Sequence, residues 1–304
     1  MNALFLFKKN KMNSTVKRIY IPGSEWIYFK VYTGIKSADW ILYGKLFPVI
    51  KKLIKLKVID KFFFIRYADP DFHIRVRFHL TEKSLLGNVL SSLYRVLNPL
   101  VDKRVVWKIE MDTYKRELER YNKSLIEETE SIFCVDSIFI IQIIKLLDNN
   151  ENKDSRWMIS LALLDRTLTD FGFDVNSKLE LTQNICSILK KQLDFKSVDS
   201  KLLNKKYEEF KLNVKRALGE RDFDKEYNKL LIWLDKRSKH MRPLITRIIK
   251  KANNKQLKYK DYVISYLHMS MNRLFMMNSS LNEFILYDFL RRYYLSVIFT
   301  NKNH

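Results

Sequence analysis

Two runs rich in aromatic and β-branched residues, 61–67 and 72–80, flank the four residues Ala68-Asp69-Pro70-Asp71. Turn-forming residues between two strand-like runs specify a β-hairpin. If Tyr67 pairs with Phe72, then Ile65 faces Ile74 and Phe63 faces Val76, and these residues with Phe78 make one apolar face. The opposite face then carries Arg66, His73, Arg75, Arg77 and His79. Cations on adjacent positions of one sheet face repel, so solvent, carboxylates or a bound anion must compensate them. Any fold proposed for the chain has to accommodate this hairpin.

The neighbouring segments supply a sheet around it. Residues 26–33 are aromatic and β-branched, and 104–113 alternate Trp107, Ile109 and Met111 with Lys108, Glu110 and Asp112; both suit strands. Residues 38–57 and 82–98 have helical spacing. The order is that of a ferredoxin-like βαββαβ unit. Beyond it, helical periodicity runs almost to the end. Helices are expected over 113–146 with a break near 122, then 154–171, 178–193, 198–218, 222–237, 241–252, 258–276 and 281–298. Only 6 Gly and 5 Pro in 304 residues leave few points at which such elements can break. Breaks are expected at Asn149-Asn150-Glu151-Asn152, at Gly172 and at Asn253-Asn254. The fold class is therefore α+β: an N-terminal ferredoxin-like sheet unit followed by a mainly α-helical half. The expected division is a basic flexible tail at 1–25, the sheet unit at 26–114, and a helical region at 115–304 packed on it as one module.

Composition narrows the chemistry. A formal charge of +22 attracts anions: nucleic acid, acidic lipid or an acidic peptide. The lysines are scattered, and no RNA- or DNA-binding signature occurs, so direct nucleic-acid binding is possible but not expected. Two cysteines, Cys134 and Cys186, form neither a disulfide framework nor a zinc site, and a reduced cytoplasmic setting fits them. No stretch of some eighteen uncharged apolar residues offers a membrane span. There is no P-loop, no G-x-G-x-x-G after a strand, no H-E-x-x-H and no G-x-S-x-G. Neither a metal nor a cofactor is expected.

Two readings of the cationic face stay open at this point. Arg66, Arg75 and Arg77 can form a structural ion-pair set with Glu110, Asp112 and Glu117. Alternatively the arginines form an anion-recognition floor, since guanidinium groups bind carboxylates in bidentate fashion. Glu117 and Arg120 stand one helical turn apart, as many surface ion pairs do. Ser265, His268 and Asn272 fall on one helix stripe, where polar neighbours can set the tautomer of the imidazole for acid–base work.

Several segments together resemble a known family. They are Trp26-Ile27-Tyr28-Phe29-Lys30-Val31-Tyr32, Phe63-Phe64-Ile65-Arg66-Tyr67-Ala68-Asp69-Pro70, His73-Ile74-Arg75-Val76-Arg77-Phe78 and Tyr114-Lys115-Arg116-Glu117-Leu118-Glu119-Arg120-Tyr121. Ser131 to Ser137, Leu164-Asp165-Arg166 and Leu267-His268-Met269-Ser270-Met271-Asn272-Arg273 follow. From about residue 26 to the end the chain resembles the C-terminal, glutamate-eliminating module of class I lanthipeptide dehydratases and its free-standing relatives in thiopeptide pathways. The resemblance implies a lyase acting on a ribosomal precursor peptide whose Ser or Thr has been glutamylated from glutamyl-tRNA by a separate enzyme. Removal of glutamate leaves dehydroalanine or dehydrobutyrine. It also implies that Arg75, Arg77, Glu117, Arg120 and His268 line the site, with Arg66, His73, Asn272 and Arg273 as substrate-binding candidates. The family often has two glycines after the Arg-Tyr pair, where this chain has Asn122 and Lys123. The alternatives are a thiopeptide pyridine synthase, or a non-catalytic subunit that binds a leader peptide or tRNA.

Overall fold

A computed structural model describes residues 16–148, 154–219, 225–276 and 279–302. The described residues fall into two compact units, one within 1–148 and 239–276 and one within 149–238 and 277–304.

The first unit is built on a four-stranded antiparallel sheet: β2 (Trp26–Thr33), β3 (Ile59–Ala68), β4 (Phe72–Leu80) and β5 (Val106–Asp112), in the order β3-β4-β2-β5. The first crossover consists of α1 (Ile35–Trp40), a π-helical stretch over Ile41–Leu46 and α2 (Phe47–Lys55); the second is α3 (Leu86–Asp102). This is the expected ferredoxin-like arrangement. Ile27, Phe29, Val31, Phe62, Phe64, Ile74, Val76 and Phe78 are buried on or beside the strands, where their alternation places most of them on one apolar face.

The hairpin register differs from the expectation by one residue. Ala68 pairs with Phe72, so the connection is the three residues Asp69-Pro70-Asp71, with a cis bond before Pro70. Tyr67 then pairs with His73, Ile65 with Arg75 and Phe63 with Arg77. Because side chains alternate with a period of two, a one-residue shift exchanges the faces of the whole β3 strand. Phe63, Ile65 and Tyr67 join the cationic face, and Arg66 moves to the opposite face, across from Ile74.

Residues 16–25, expected to belong to a flexible tail, are ordered. β1 (Ile19–Tyr20) pairs with β6 (Tyr114–Lys115), and the Arg116 amide and guanidinium bond the carbonyls of Arg18 and Lys17 at 2.9 and 3.1 Å. Arg116 also makes a two-pronged ion pair with Glu130, each contact 2.7 Å. The rest of the expected tail, 1–15, lies outside the described residues.

Beside the sheet stand α4 (Leu118–Tyr121), α5 (Ile126–Asp148) and α10 (Lys260–Leu274). β3 is an edge strand, and its outward backbone groups are met by side chains. The Phe64 amide donates to Ser137 Oγ (3.2 Å) and its carbonyl accepts from Arg273 Nε (2.8 Å). The Asn272 side-chain amide brackets Arg66, accepting from its N–H and donating to its carbonyl, both at 2.9 Å. An open strand edge is thereby closed without a fifth strand.

The second unit contains α6 (Ser155–Asp170), α7 (Val175–Gln192), α8 (Ser197–Leu218) and α11 (Ser279–Lys302). The segments 222–237 and 241–252 were expected as two helices; residues 225–254 form one, α9, with Pro243 inside it. Proline removes one helical hydrogen bond. The buried positions Tyr227, Leu230, Leu234, Met241, Leu244, Ile245 and Ile248 nevertheless keep helical spacing through it. The expected break at 149–152 and the start of the 222–237 segment lie outside the described residues; Gly172 sits at the expected turn with φ +79°.

After α4 the chain turns at Asn122, whose φ is +62°. Its Oδ1 accepts the Ser124 amide at 2.9 Å, a local bond that asparagine can make and alanine cannot. This is the position at which glycine was noted as frequent in the resembling family. Asn122→Gly should therefore hold stability within a few tenths of a kcal/mol, while Asn122→Val should lose roughly 1–3 kcal/mol, read by urea unfolding. Equal stability of the two variants would refute a backbone role for this position.

Candidate active site

β4 is a central strand, flanked by β2 and β3, and its alternation presents His73, Arg75 and Arg77 on one face. Across from them on β2 stand Tyr32, Lys30 and Tyr28, and beyond those on β5 stand Lys108, Glu110 and Asp112. The carboxylates of β5 are taken by the lysines. Lys30 Nζ lies 2.6 Å from Asp112, Lys108 Nζ lies 2.5 Å from Glu110, and the Tyr32 hydroxyl donates to Glu110 at 2.8 Å. These bonds hold both carboxyl groups below the usual carboxylate range. Glu117 pairs with Arg120 at 3.5 Å. Glu110, Asp112 and Glu117, the carboxylates of the structural ion-pair reading, thus go to other cations, and among the described residues neither Arg75 nor Arg77 has an ion-pair partner.

Aromatic rings hold the two guanidinium groups instead. Arg77 Cζ lies 4.4 Å from the centre of the Tyr28 ring, 5.0 Å from Tyr114 and 5.2 Å from Phe63. Its Nε is buried without a hydrogen-bond partner. Burial lowers the guanidinium pKa from its ordinary value, yet an arginine stays protonated. Arg75 Cζ lies 3.4 Å from the centre of the Tyr67 ring, and its Nε donates to His73 Nε2 at 3.0 Å. Ring faces stabilise a cation but do not neutralise it. The pair therefore keeps two positive charges, and donors, for an anion.

The tautomer of His73 follows from its partners. Nδ1 faces the Asp71 carbonyl at 2.8 Å, which can only accept, and Nε2 meets Arg75 Nε, which can only donate. The ring is neutral, with its proton on Nδ1. Burial, then the nearby Arg75 and Lys30, lower its pKa below the ordinary 6.5. His73 is a positioning residue that aims Arg75. A histidine with a depressed folded pKa contributes its full stability above the unfolded value, and loses it as pH falls from about 6.5 toward the folded value. The melting-temperature gap between wild type and His73→Gln should accordingly be larger at pH 7.5 than at pH 5. A gap independent of pH would refute this protonation state.

Arg120, on α4, reaches α10. Its Nε donates to Ser265 Oγ at 3.1 Å. Ser265, His268 and Asn272 share one stripe of α10. Ser265 is held by Arg120 at one end, and Asn272 is held by the β3 backbone at the other. His268 lies between these two anchors, half-buried.

Three expected substrate ligands are committed to the fold. Arg66, on the opposite sheet face, pairs with the buried Asp39 and donates to the Arg273 carbonyl at 2.9 Å. Arg273 is fully buried and binds Asp136 at 2.8 Å. Both ends of the Asn272 amide are used by Arg66. Two tyrosines escaped the sequence reading. Tyr28 lies directly across from Arg77, a position visible in the alternation of β2 once the register is known. The Tyr121 hydroxyl is buried without a partner beside Arg120, stacked on Tyr266 at 6.0 Å, and burial pushes its pKa up to about 12; the sequence places it in the Arg-Tyr pair of the family segment but does not show that its hydroxyl is buried. No group of three potential metal ligands occurs among the described residues, and no described helix is long and apolar enough to cross a membrane.

Residues 26–294 match the family model described as lantibiotic biosynthesis dehydratase C-term. The chain is 27% identical to the nisin biosynthesis protein NisB of Lactococcus lactis subsp. lactis over 294 residues, covering 95% of this chain and 27% of NisB. It is 26% identical to the subtilin biosynthesis protein SpaB of Bacillus subtilis, covering 88% of this chain and 25% of SpaB. The chain thus spans about a quarter of these curated relatives. Among solved structures, the tRNA-dependent lantibiotic dehydratase MibB from Microbispora sp. 107891 superposes with a TM-score of 0.70 at 20% identity, covering 94% of this chain and 29% of MibB. The pyridine synthase TbtD from thiomuracin biosynthesis gives 0.64 at 11% identity, covering 90% of this chain and 99% of TbtD. By sequence and by fold alike, the chain belongs to the lantibiotic dehydratase C-terminal family.

Proposed function

We propose that the protein eliminates glutamate from glutamylated Ser or Thr residues of a ribosomal precursor peptide, with the glutamyl ester supplied by a separate tRNA-dependent enzyme. The observation that carries the reading is the pair Arg75 and Arg77, two neighbouring guanidinium groups left without carboxylates while nearby acids are matched to Lys30, Lys108 and Arg120.

The reaction breaks the Cα–H bond of the esterified residue, forms Cα=Cβ and expels glutamate as its carboxylate through cleavage of the Cβ–O bond. Negative charge grows on the amide carbonyl and on the departing carboxylate. Arg75 and Arg77 stabilise that charge, and Arg120 clamps the glutamyl group. His268 takes part in proton transfer. Glu117 orients Arg120 through their ion pair.

The test is to mix the purified protein with a glutamylated precursor peptide and follow its mass. Loss of glutamate with formation of a dehydroamino acid supports the proposal. In Arg77→Gln the release rate should fall about 10²- to 10³-fold while the protein still melts as a folded chain, since an electrostatic stabiliser of developing charge is worth that much. Unchanged turnover would remove Arg77 from the site. A second reading is pyridine synthase, since the chain shares the fold of TbtD, with a TM-score of 0.64 over 90% of this chain. A macrocycle with expelled leader, formed from an already dehydrated peptide, would establish it in place of elimination. Leader binding without any mass change would leave a non-catalytic subunit.

A further inference from the structure

The second unit holds a cavity of about 330 Å³ among α7, α8 and α11. Its deep wall is Cys186, Leu203, Phe284 and Asp288, all nearly inaccessible. At its mouth stand Lys190, Arg291 and Arg292. Asp288 organises the two arginines. Arg291 donates to one oxygen at 2.7 Å, and Arg292 donates to the other at 2.6 Å. Arg292 also donates to Asn204 at 2.7 Å, fixing its plane. Three cations and one carboxylate line the cavity, which therefore carries a net charge of about +2, and each guanidinium has donors beyond those bonds. Lys190 makes no ion pair among the described residues; its ammonium lies 5.7 Å from the centre of the Phe195 ring. Phe195 in turn packs on Phe284, ring centres 4.6 Å apart. Burial holds the Cys186 thiol protonated, so it adds no negative charge.

We propose that this cavity binds an acidic side chain of a peptide, its carboxylate held by Lys190, Arg291 and Arg292 and its apolar neighbour laid against Phe195, which Phe284 supports from behind. A carboxylate suits guanidinium groups already held rigid by Asp288. The volume, about ten times the share of one water molecule in the liquid, takes a residue or two. The apolar half of the wall favours a peptide over a polyphosphate backbone, which would leave the half-buried Phe195 ring uncovered. The inference stands apart from the elimination chemistry and from the arginine pair of the first unit.

The test is an NMR titration of the full-length ¹⁵N-labelled protein with acetyl-Leu-Asp-Leu-amide, with acetyl-Leu-Asn-Leu-amide as control. The aspartyl peptide should saturate and shift resonances of Lys190, Ser187 and Phe195, and the asparaginyl peptide should bind at least about tenfold more weakly. Lys190→Gln, an exposed side chain, should weaken the aspartyl peptide about three- to tenfold. Ser187→Trp, at the mouth, should abolish binding. Shifts elsewhere in the protein, equal affinity for the two peptides, unchanged binding in both variants, or saturation of these resonances by a single-stranded oligouridylate but not by peptide would each overturn the proposal. Its failure would leave glutamate release untouched.

Discussion

His268→Gln should release glutamate from a glutamylated peptide about 10²- to 10⁴-fold more slowly than wild type, the range expected when a positioned acid–base group is lost. Helix α10 is fastened on both sides of His268. Ser265, three residues before His268, receives a hydrogen bond from Arg120. Asn272, four residues after it, grips the backbone of β3 at Arg66. On a helix these three side chains share a face, so the anchors set the rotation of α10 and with it the direction of the imidazole. Glutamine keeps polarity and approximate size but cannot shuttle a proton. The measurement is single-turnover mass spectrometry of the glutamylated peptide, with circular dichroism to confirm folding. Turnover within twofold of wild type would take His268 out of the chemistry and leave it a packing residue.

Arg273→Leu should destabilise the protein by about 3–5 kcal/mol, because it removes one partner of the buried Arg273–Asp136 ion pair. Asp136 and Arg273 are 1% and 0% exposed, so water cannot take over the lost contact. The substitution also removes the bond to the Phe64 carbonyl on the β3 edge. For a protein of this size that corresponds to a fall in melting temperature of roughly 5–8 °C. The outcome separates two roles assigned to Arg273. A variant that melts like wild type but no longer binds the peptide would return the residue to the substrate site.

These expectations show what could be read along the chain. Alternation on β2, β4 and β5 is a local property, because successive side chains of any strand point to opposite faces. Arg75 and Arg77 could therefore be placed on a common face from their spacing alone. So could the shared stripe of Ser265, His268 and Asn272, and the βαββαβ order that surrounds the hairpin. What failed was the register of β3, where a connection of three residues instead of four moved Arg66 to the apolar face and Phe63 to the cationic one. Both connections use turn-forming residues, and composition does not choose between them. Helix α9 failed for a related reason. Pro243 is a local break signal, and the apolar stripe that continues past it has to be weighed against that signal.

By itself, then, the amino-acid order settled which side chains travel together on a strand or a helix. It could not settle which partners would meet them. Whether Glu110, Asp112 and Glu117 would neutralise the arginines or the lysines, whether Arg273 would face substrate or Asp136, and whether the Tyr121 hydroxyl would find a partner depend on packing between segments up to about two hundred residues apart. Charge pairing is decided by distances of a few ångströms, which sequence spacing fixes only within a single element.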